Sequence, residues 1–110
     1  MLAACTGILF LSGCNSEAKK TYDQAAQDLE DGIYDDALTG YEASAKAEYK
    51  TAESFRGAGI AKLRLGNYQE AADYFTSALK EDKISKSLKK DILSYRATAQ
   101  LEAEDYEGAM

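Results

Sequence analysis

A pattern of small and aromatic residues recurs in this chain at a separation of 34 residues, and no other feature restricts its fold as strongly. The clearest copy occupies residues 55–79, FRGAGIAKLRLGNYQEAADYFTSAL. Its counterparts in the preceding copy are Ala25, Leu29, Gly32, Tyr34, Ala37, Tyr41 and Ser44, which match Gly59, Leu63, Gly66, Tyr68, Ala71, Phe75 and Ala78. A period of this length is typical of stacked supersecondary units, none of which buries its apolar face alone.

The first half of the clearest copy predicts a short helix that ends at a glycine. Phe55, Gly59 and Leu63 are spaced four residues apart and therefore share one helix face. Gly59 lets a neighbouring helix approach this face closely. Gly66 is expected to stop the helix, because glycine readily adopts the left-handed conformation that ends many helices.

The second half predicts another short helix, antiparallel to the first. Asn67 is expected to cap it, with Glu70 completing a pair that resembles a capping box. The inward stripe of this helix consists of Ala71, Phe75 and Ala78. These repeated positions are predicted to pack the array.

A third copy follows 38 residues after the second. Its matching positions are Ala97, Leu101, Tyr106 and Ala109. Because the sequence stops at Met110, inside the motif, we expect the third pair to lack most of its second helix and the chain to be a fragment. The repeat length and residue pattern resemble the tetratricopeptide repeat. This resemblance implies an all-α fold in which antiparallel helix-turn-helix pairs stack into a short superhelical solenoid.

Turn and cap signals divide the array into three repeats, at about residues 18–47, 51–83 and 85–110. The predicted helices of the first two repeats cover residues 18–30, 34–47, 51–65 and 68–80. The third repeat is expected to begin at a cap provided by Ser85 or Ser87 and to continue to about Ala103. Asp105 is expected to cap one last helix.

The first 14 residues, MLAACTGILFLSGC, carry no charge and differ in composition from the rest. Their apolar run suits the centre of a secretory signal. The closing residues 11–14, LSGC, resemble the bacterial lipobox, in which the cysteine is diacylated and the peptide is cut before it. We therefore predict a signal peptide over residues 1–14, lipidation of Cys14, a polar tether over residues 15–20, and attachment to the outer side of a bacterial cell membrane. The alternative is an apolar tail with an incidental cysteine.

The composition argues against several function classes. The chain has no histidine, and cleavage of the signal would remove Cys5 while lipidation would consume the thiol of Cys14, so we expect no enzyme active site, no metal and no cofactor. A net charge of −6 argues against nucleic acid as a ligand. Basic residues cluster around the third copy, from Lys80 to Arg96, either as solvated helix faces or as a patch for an acidic partner or anionic lipid.

The resemblance implies that peptides or partner proteins bind the concave surface lined by the first helix of each pair. Transferred to this sequence, the predicted groove residues are Tyr22, Ala26, Leu29, Glu30, Glu53, Arg56, Ile60, Leu63, Arg64, Ser94, Thr98 and Leu101. Arg56 and Arg64 flank an apolar strip of Ile60 and Leu63, which favours a ligand with acidic and apolar residues. Alternatively, Leu63 packs inside the array and the arginines are solvated.

Two functions follow. The first is a membrane-anchored scaffolding or protein-interaction module whose partner the sequence does not identify. The alternative is that these repeats are the anchor-proximal part of a longer lipoprotein whose C-terminal region carries an enzymatic or solute-binding domain.

Overall fold

The computed structural model describes the backbone of residues 11–109 and the side-chain surroundings of residues 16–105. Within this part of the chain the elements are α1 (Leu11–Glu30), α2 (Tyr34–Lys46), α3 (Thr51–Arg64), α4 (Tyr68–Leu79) and α5 (Lys86–Ala109). Each helix packs against the next along the chain. The predicted all-α helical solenoid is therefore confirmed, with α1–α2 and α3–α4 as successive antiparallel pairs.

The turns within the two pairs have the same geometry. Gly32 has a φ of +80° and Gly66 a φ of +83°. After α3, the Gly66 amide donates to the Leu63 carbonyl at 3.1 Å, and the Asn67 amide donates to the Lys62 carbonyl at 2.9 Å. These two bonds form a Schellman motif, which satisfies carbonyls at the helix end and reverses the chain. The predicted glycine stops are confirmed.

The core is built from small residues packed around a few rings. One cluster contains Ala25, Ala37, Tyr41, Ala58 and Ala61. The other contains Ile60, Leu63, Ala71, Ala72, Phe75, Ala78, Ile92 and Ala99. Gly59 is buried against the Phe75 ring so closely that a Cβ atom there would lie 2.5 Å from the ring. The predicted close approach at Gly59 is confirmed.

The first helix begins earlier than the sequence predicts. Residues 15–20, predicted as a tether ahead of the array, belong to α1, which extends back to Leu11. Two features stabilise this extension. Ala18 is only 6% exposed, so this turn is already packed in the array. Lys19 and Asp23 form an ion pair one helical turn apart, with 2.7 Å between Nζ and Oδ2.

Two predicted features near helix ends are wrong. Asn67 makes no side-chain cap hydrogen bond. Its ψ of 72° lies outside the β region that N-cap residues usually adopt, and Glu70 pairs with Lys62 instead. Asp105 begins no new helix, because α5 runs without a break to Ala109. Position 104, which corresponds to Gly66, carries glutamate, and therefore the residue that turns the chain in the first two pairs is missing.

The start of α5 agrees with the prediction. The Leu88 amide donates to the Ser85 hydroxyl oxygen at 3.1 Å. Ser85 therefore caps the helix, and Ser87 lies inside it.

Candidate partner-binding surface

The first helices of the pairs lie closer together than the second helices. α1 approaches α3 and α3 approaches α5, whereas no Cα atoms of α2 and α4 come within 8 Å of each other. An array whose first helices converge while its second helices spread apart is curved. The surface formed by α1, α3 and α5 is therefore the concave side, and we call it the inner surface.

Arg56 lies at the centre of the inner surface, where α3 meets α5. Its Nε donates a hydrogen bond to the Asp91 carboxylate. Its guanidinium carbon lies 5.3 Å from the centre of the Tyr95 ring, which is a cation–π distance. The side chains of Arg56 and Asp91 remain 32% and 41% exposed, so solvent and a partner can reach the pair. The sequence analysis missed Asp91 and Tyr95, because no local spacing connects α5 to Arg56.

An aromatic group occupies the other end of the inner surface. The Tyr22 ring meets Tyr41 edge-on with centroids 5.5 Å apart, and meets Tyr49 with centroids 5.7 Å apart. The Lys50 ammonium lies 5.3 Å from the centre of the Tyr22 ring. Burial raises the pKa of the Tyr22 hydroxyl, and it raises the pKa of Tyr41 to about 12. Tyr49 and Lys50 lie in the connection between repeats, outside the aligned positions, and were therefore not predicted.

The predicted groove residues separate into three groups. Ile60 and Leu63 are 5% and 8% exposed and belong to the core, so their prediction as groove residues is wrong. They lie on the side of α3 that packs with Phe75 of α4, which agrees with the alternative interpretation of Leu63. The half-buried positions are Tyr22, Ala26, Leu29, Glu53 and Arg56. The exposed positions are Glu30, Arg64, Ser94, Thr98 and Leu101.

Most predicted packing positions are placed as expected. The buried ones are Ala25, Ala37, Tyr41, Gly59, Ala71, Phe75 and Ala78. Phe55, Tyr34 and Tyr68 are half-buried, and the turn residues Gly32 and Gly66 are exposed. Ala97 is exposed, so its predicted packing role is wrong for this part of the chain. The side chains of Cys14, Tyr106 and Ala109 lie outside the described residues.

The residues of α5 that pack against α4 were missed by the sequence analysis. Ile92 and Ala99 are fully buried, and Tyr95 stacks on Phe75 with centroids 5.7 Å apart. A signal for them existed, because Ile92 and Ala99 stand 38 residues after Ser54 and Ala61. Those two α3 residues are buried as well. The alignment of Ala97 with Gly59 and of Leu101 with Leu63 follows one face of α5, whereas Ile92 and Ala99 lie on another face.

A cleft of about 620 Å³ lies on the outer side, between the spread second helices. Its walls include Glu42 and Lys46 of α2, Phe55 of α3 and Tyr74 of α4. The Tyr74 hydroxyl donates to the Glu42 carboxylate across the cleft. Burial, followed by this hydrogen bond, raises the pKa of Tyr74. Two of the side chains that line this cleft thus already bond to each other across it. On the inner surface, polar groups such as Arg56 are half-buried and can still be reached by a partner.

Two further properties of the described residues concern other kinds of feature, a metal site and a membrane-spanning helix. Among the residues that the structure describes, no group of three or more His, Cys, Asp or Glu side chains is placed to hold a metal ion. None of the helices in that part of the chain is both long and apolar enough to cross a membrane.

Comparison with known proteins identifies the repeat. No curated protein and no solved structure matches this chain. A family model described as the tetratricopeptide repeat matches residues 22–85 and 56–110, which together cover most of the sequence and all of α2 to α5. The chain therefore belongs to the tetratricopeptide repeat family, whose members are generally non-enzymatic modules of protein–protein interaction.

Proposed function

We propose that this chain is a lipid-anchored interaction module that holds a protein or peptide partner against its inner surface, on the outer side of a bacterial cell membrane. The family supports a protein partner in general. The curvature supports the choice of surface, because the concave side of a helical array offers contacts from several helices to one ligand. Cys14 supports the anchor.

The observation that carries the proposal is the position of Arg56. Its side chain is one-third exposed at the point where α3 and α5 meet, with one N–H given to Asp91. A guanidinium has five N–H groups, so others remain for a carboxylate of the partner. Arg64, about two helical turns further along α3, is exposed. Two arginines on one helix favour a ligand with acidic residues.

Apolar contacts to the ligand come mainly from tyrosine rings rather than from Ile60 and Leu63. Ile60 and Leu63 are buried and offer nothing to a ligand. Tyr22 and Tyr95 are half-buried on the inner surface, one on each side of Arg56. Tyrosine provides a large apolar area with little loss of side-chain entropy. The ligand is therefore an extended segment that combines carboxylates with apolar or aromatic residues.

The anchor and the array are close together. Cys14 lies on α1, and Ala18, four residues later, is already buried. If Cys14 carries two acyl chains, the array sits directly at the membrane surface without a flexible spacer. Two chains give stable attachment, whereas a single chain gives marginal binding. A partner held there is a membrane or envelope protein with a segment near the bilayer.

Site-specific photocrosslinking in cells tests the proposal. A photoreactive amino acid replaces Glu53, which is half-buried on α3 near Arg56, in the full chain. The matched control places it at Asp73, which is exposed on α4 on the outer side. We expect a discrete crosslinked protein from position 53 and none from position 73. Crosslinking from position 73 alone would place the binding surface on the other side of the array.

A further inference from the structure

Helix α5 is packed on one face only. Ile92 and Ala99 are fully buried, and Tyr95 stacks on Phe75 of α4. Within the described part of the chain α5 approaches only α3 and α4. On its opposite face Leu93 is 39% exposed and Leu101 is 61% exposed. An apolar stripe on a solvated helix indicates a contact with something else.

The stripe continues into charged residues of opposite sign. At 100° per residue, its members fall within an arc of about 80°. They are Lys90, Leu93, Ala97, Leu101 and Glu104, and all five are exposed. In chain order the stripe thus has a positive end, an apolar middle with a small residue at its centre, and a negative end. Ala97 lies midway between Leu93 and Leu101, and midway between Lys90 and Glu104.

This order makes the stripe complementary to itself. If a second copy of α5 lies antiparallel, with the two-fold axis at Ala97, Leu93 faces Leu101 of the second copy. Lys90 then faces Glu104 of the second copy. Each contact occurs twice by symmetry, as in any isologous interface. A parallel arrangement would bring the like charges together instead, so the charges select the antiparallel one.

The charges beside the stripe agree with this orientation. The N-terminal part of α5 also carries Lys86 and Lys89, and the C-terminal part carries Glu102 and Asp105. In an antiparallel pair the positive end of one helix therefore lies along the negative end of the other. The small side chain of Ala97 lets the two helix axes approach closely at the crossing point.

We propose that this face of α5 is a self-association surface, at which two copies of the chain pair through antiparallel α5 helices. The contact involves one helix from each copy and so buries less than the roughly 800 Å² per partner of a standard stable interface. The dimer is therefore weak and depends on protein concentration. Of the predicted groove residues this contact uses only Leu101, and it leaves Arg56 and Tyr95 free for a partner.

Sedimentation equilibrium of the full chain over a range of concentrations provides the test. All proteins carry Cys5→Ser and Cys14→Ser, so that no disulfide contributes. We expect a reversible monomer–dimer equilibrium. Ala97→Glu should abolish the dimer, because it buries two like charges at the axis. The control is Thr98→Glu, which introduces the same charge at an exposed neighbouring position outside the stripe and should leave the dimer intact.

A charge exchange tests the antiparallel register. Lys90→Glu and Glu104→Lys should each raise the dissociation constant about tenfold, because two attractive pairs become repulsive. The double variant should recover the parent value, since every pair is again of opposite sign. Lys83→Glu, which has the same effect on net charge but lies ahead of α5, should change little.

Three results would overturn the proposal. A parent chain that stays monomeric at every concentration would show that the stripe is covered by another part of its own chain or by a different partner. A double variant as weak as the two single variants would exclude the antiparallel register. A dimer that survives Ala97→Glu would place self-association elsewhere.

Discussion

Ser44 and Ser54 are joined by a hydrogen bond of 2.7 Å between their Oγ atoms, where α2 packs on α3, and neither side chain is exposed. Ser44 Oγ also lies 3.0 Å from the Tyr41 carbonyl, and Ser54 Oγ lies 2.9 Å from the Tyr49 carbonyl. The two hydroxyls have two protons for three contacts, so one serine donates to the other, which in turn donates to its own backbone carbonyl partner, and the two serines are satisfied as a unit. The corresponding positions at the contact of α4 with α5 carry Ala78 and Ile92.

The first prediction concerns this pair. Ser54→Ala should lower the free energy of unfolding by about 1–2 kcal/mol, because it removes an acceptor and a donor from a buried site. Ser44→Ala together with Ser54→Ala should cost less than the sum of the single changes, since no hydroxyl is then left without its partner. Urea unfolding measures both. Ser94→Ala, at an exposed position, is the control, and strictly additive single costs would contradict the coupling.

The turns of the array show why the sequence predicts some features and misses others. Gly32 and Gly66 act through local backbone geometry, so their role as helix stops was visible in the sequence and is confirmed. The absence of a glycine at position 104 was equally visible in the sequence. A new helix capped by Asp105 was nevertheless predicted, because the neighbouring positions match the repeat. Without a glycine at position 104, the chain has no residue suited to the turn, and α5 continues.

The inner surface was predictable only in part. Helical periodicity placed Arg56 and Ile60 on the same side of α3. It does not determine which edge of that side contacts α4 and which edge lies on the inner surface. Ile60 lies at the edge that contacts α4 and is buried. The pairing of Arg56 with Asp91 spans 35 residues, so it depends on how α5 is placed against α3. No periodicity within a single helix contains that information.

The second prediction concerns the contact of Gly59 with Phe75. Gly59→Ala should destabilise the chain by about 1–3 kcal/mol through overpacking, in spite of alanine's better helix propensity. Phe75→Leu removes the flat ring that a Cβ atom would meet. The cost of Gly59→Ala should therefore be smaller in a Phe75→Leu background. Thermal unfolding of the four proteins completes the cycle, and an unchanged or higher melting temperature for Gly59→Ala would contradict the close contact.

The third prediction concerns alkaline pH. Burial raises the pKa of Tyr41 to about 12, whereas a tyrosine in an unfolded chain ionises near pH 10. The folded state holds this proton more tightly, so stability is retained below about pH 10 and falls as pH rises towards 12. The free energy of unfolding should decrease across this interval. Tyr41→Phe should flatten the decrease relative to the parent, and equal slopes for the two proteins would show that Tyr41 does not contribute.

The fourth prediction concerns the anchor. Cys14→Ser should release the protein from the membrane fraction, because each buried CH₂ of an acyl chain contributes about 0.8 kcal/mol and the variant has no acyl chain. Cell fractionation of the chain expressed behind a basic N-terminal extension measures this, and metabolic labelling with a fatty acid identifies the lipid. Cys5→Ser is the matched control and should remain lipidated. A Cys14→Ser protein found wholly with the membranes would refute lipidation as the cause of attachment.

The fifth prediction separates a binding role for Arg56 from a structural one. Asp91 and Tyr95 hold the guanidinium at the contact of α3 with α5, so Arg56→Ala removes both an interhelical contact and a group for the partner. Asp91→Asn removes the charge of the carboxylate but keeps its shape, which weakens its hold on the guanidinium. If Arg56 binds a carboxylate of the partner, the two variants should act in opposite directions.

We therefore expect Arg56→Ala to reduce photocrosslinking from position 53 and Asp91→Asn to increase it, most clearly at low ionic strength, where screening is weakest. Both changes should alter the free energy of unfolding by only about 1 kcal/mol, because both side chains are partly exposed and solvent screens the pair. Arg96→Ala is the control, since Arg96 donates to Thr76 of α4. A partner that competes with Asp91 for the guanidinium must bind better when that carboxylate loses its charge. Reduced crosslinking in both Arg56→Ala and Asp91→Asn would therefore show that the ion pair only orders the inner surface.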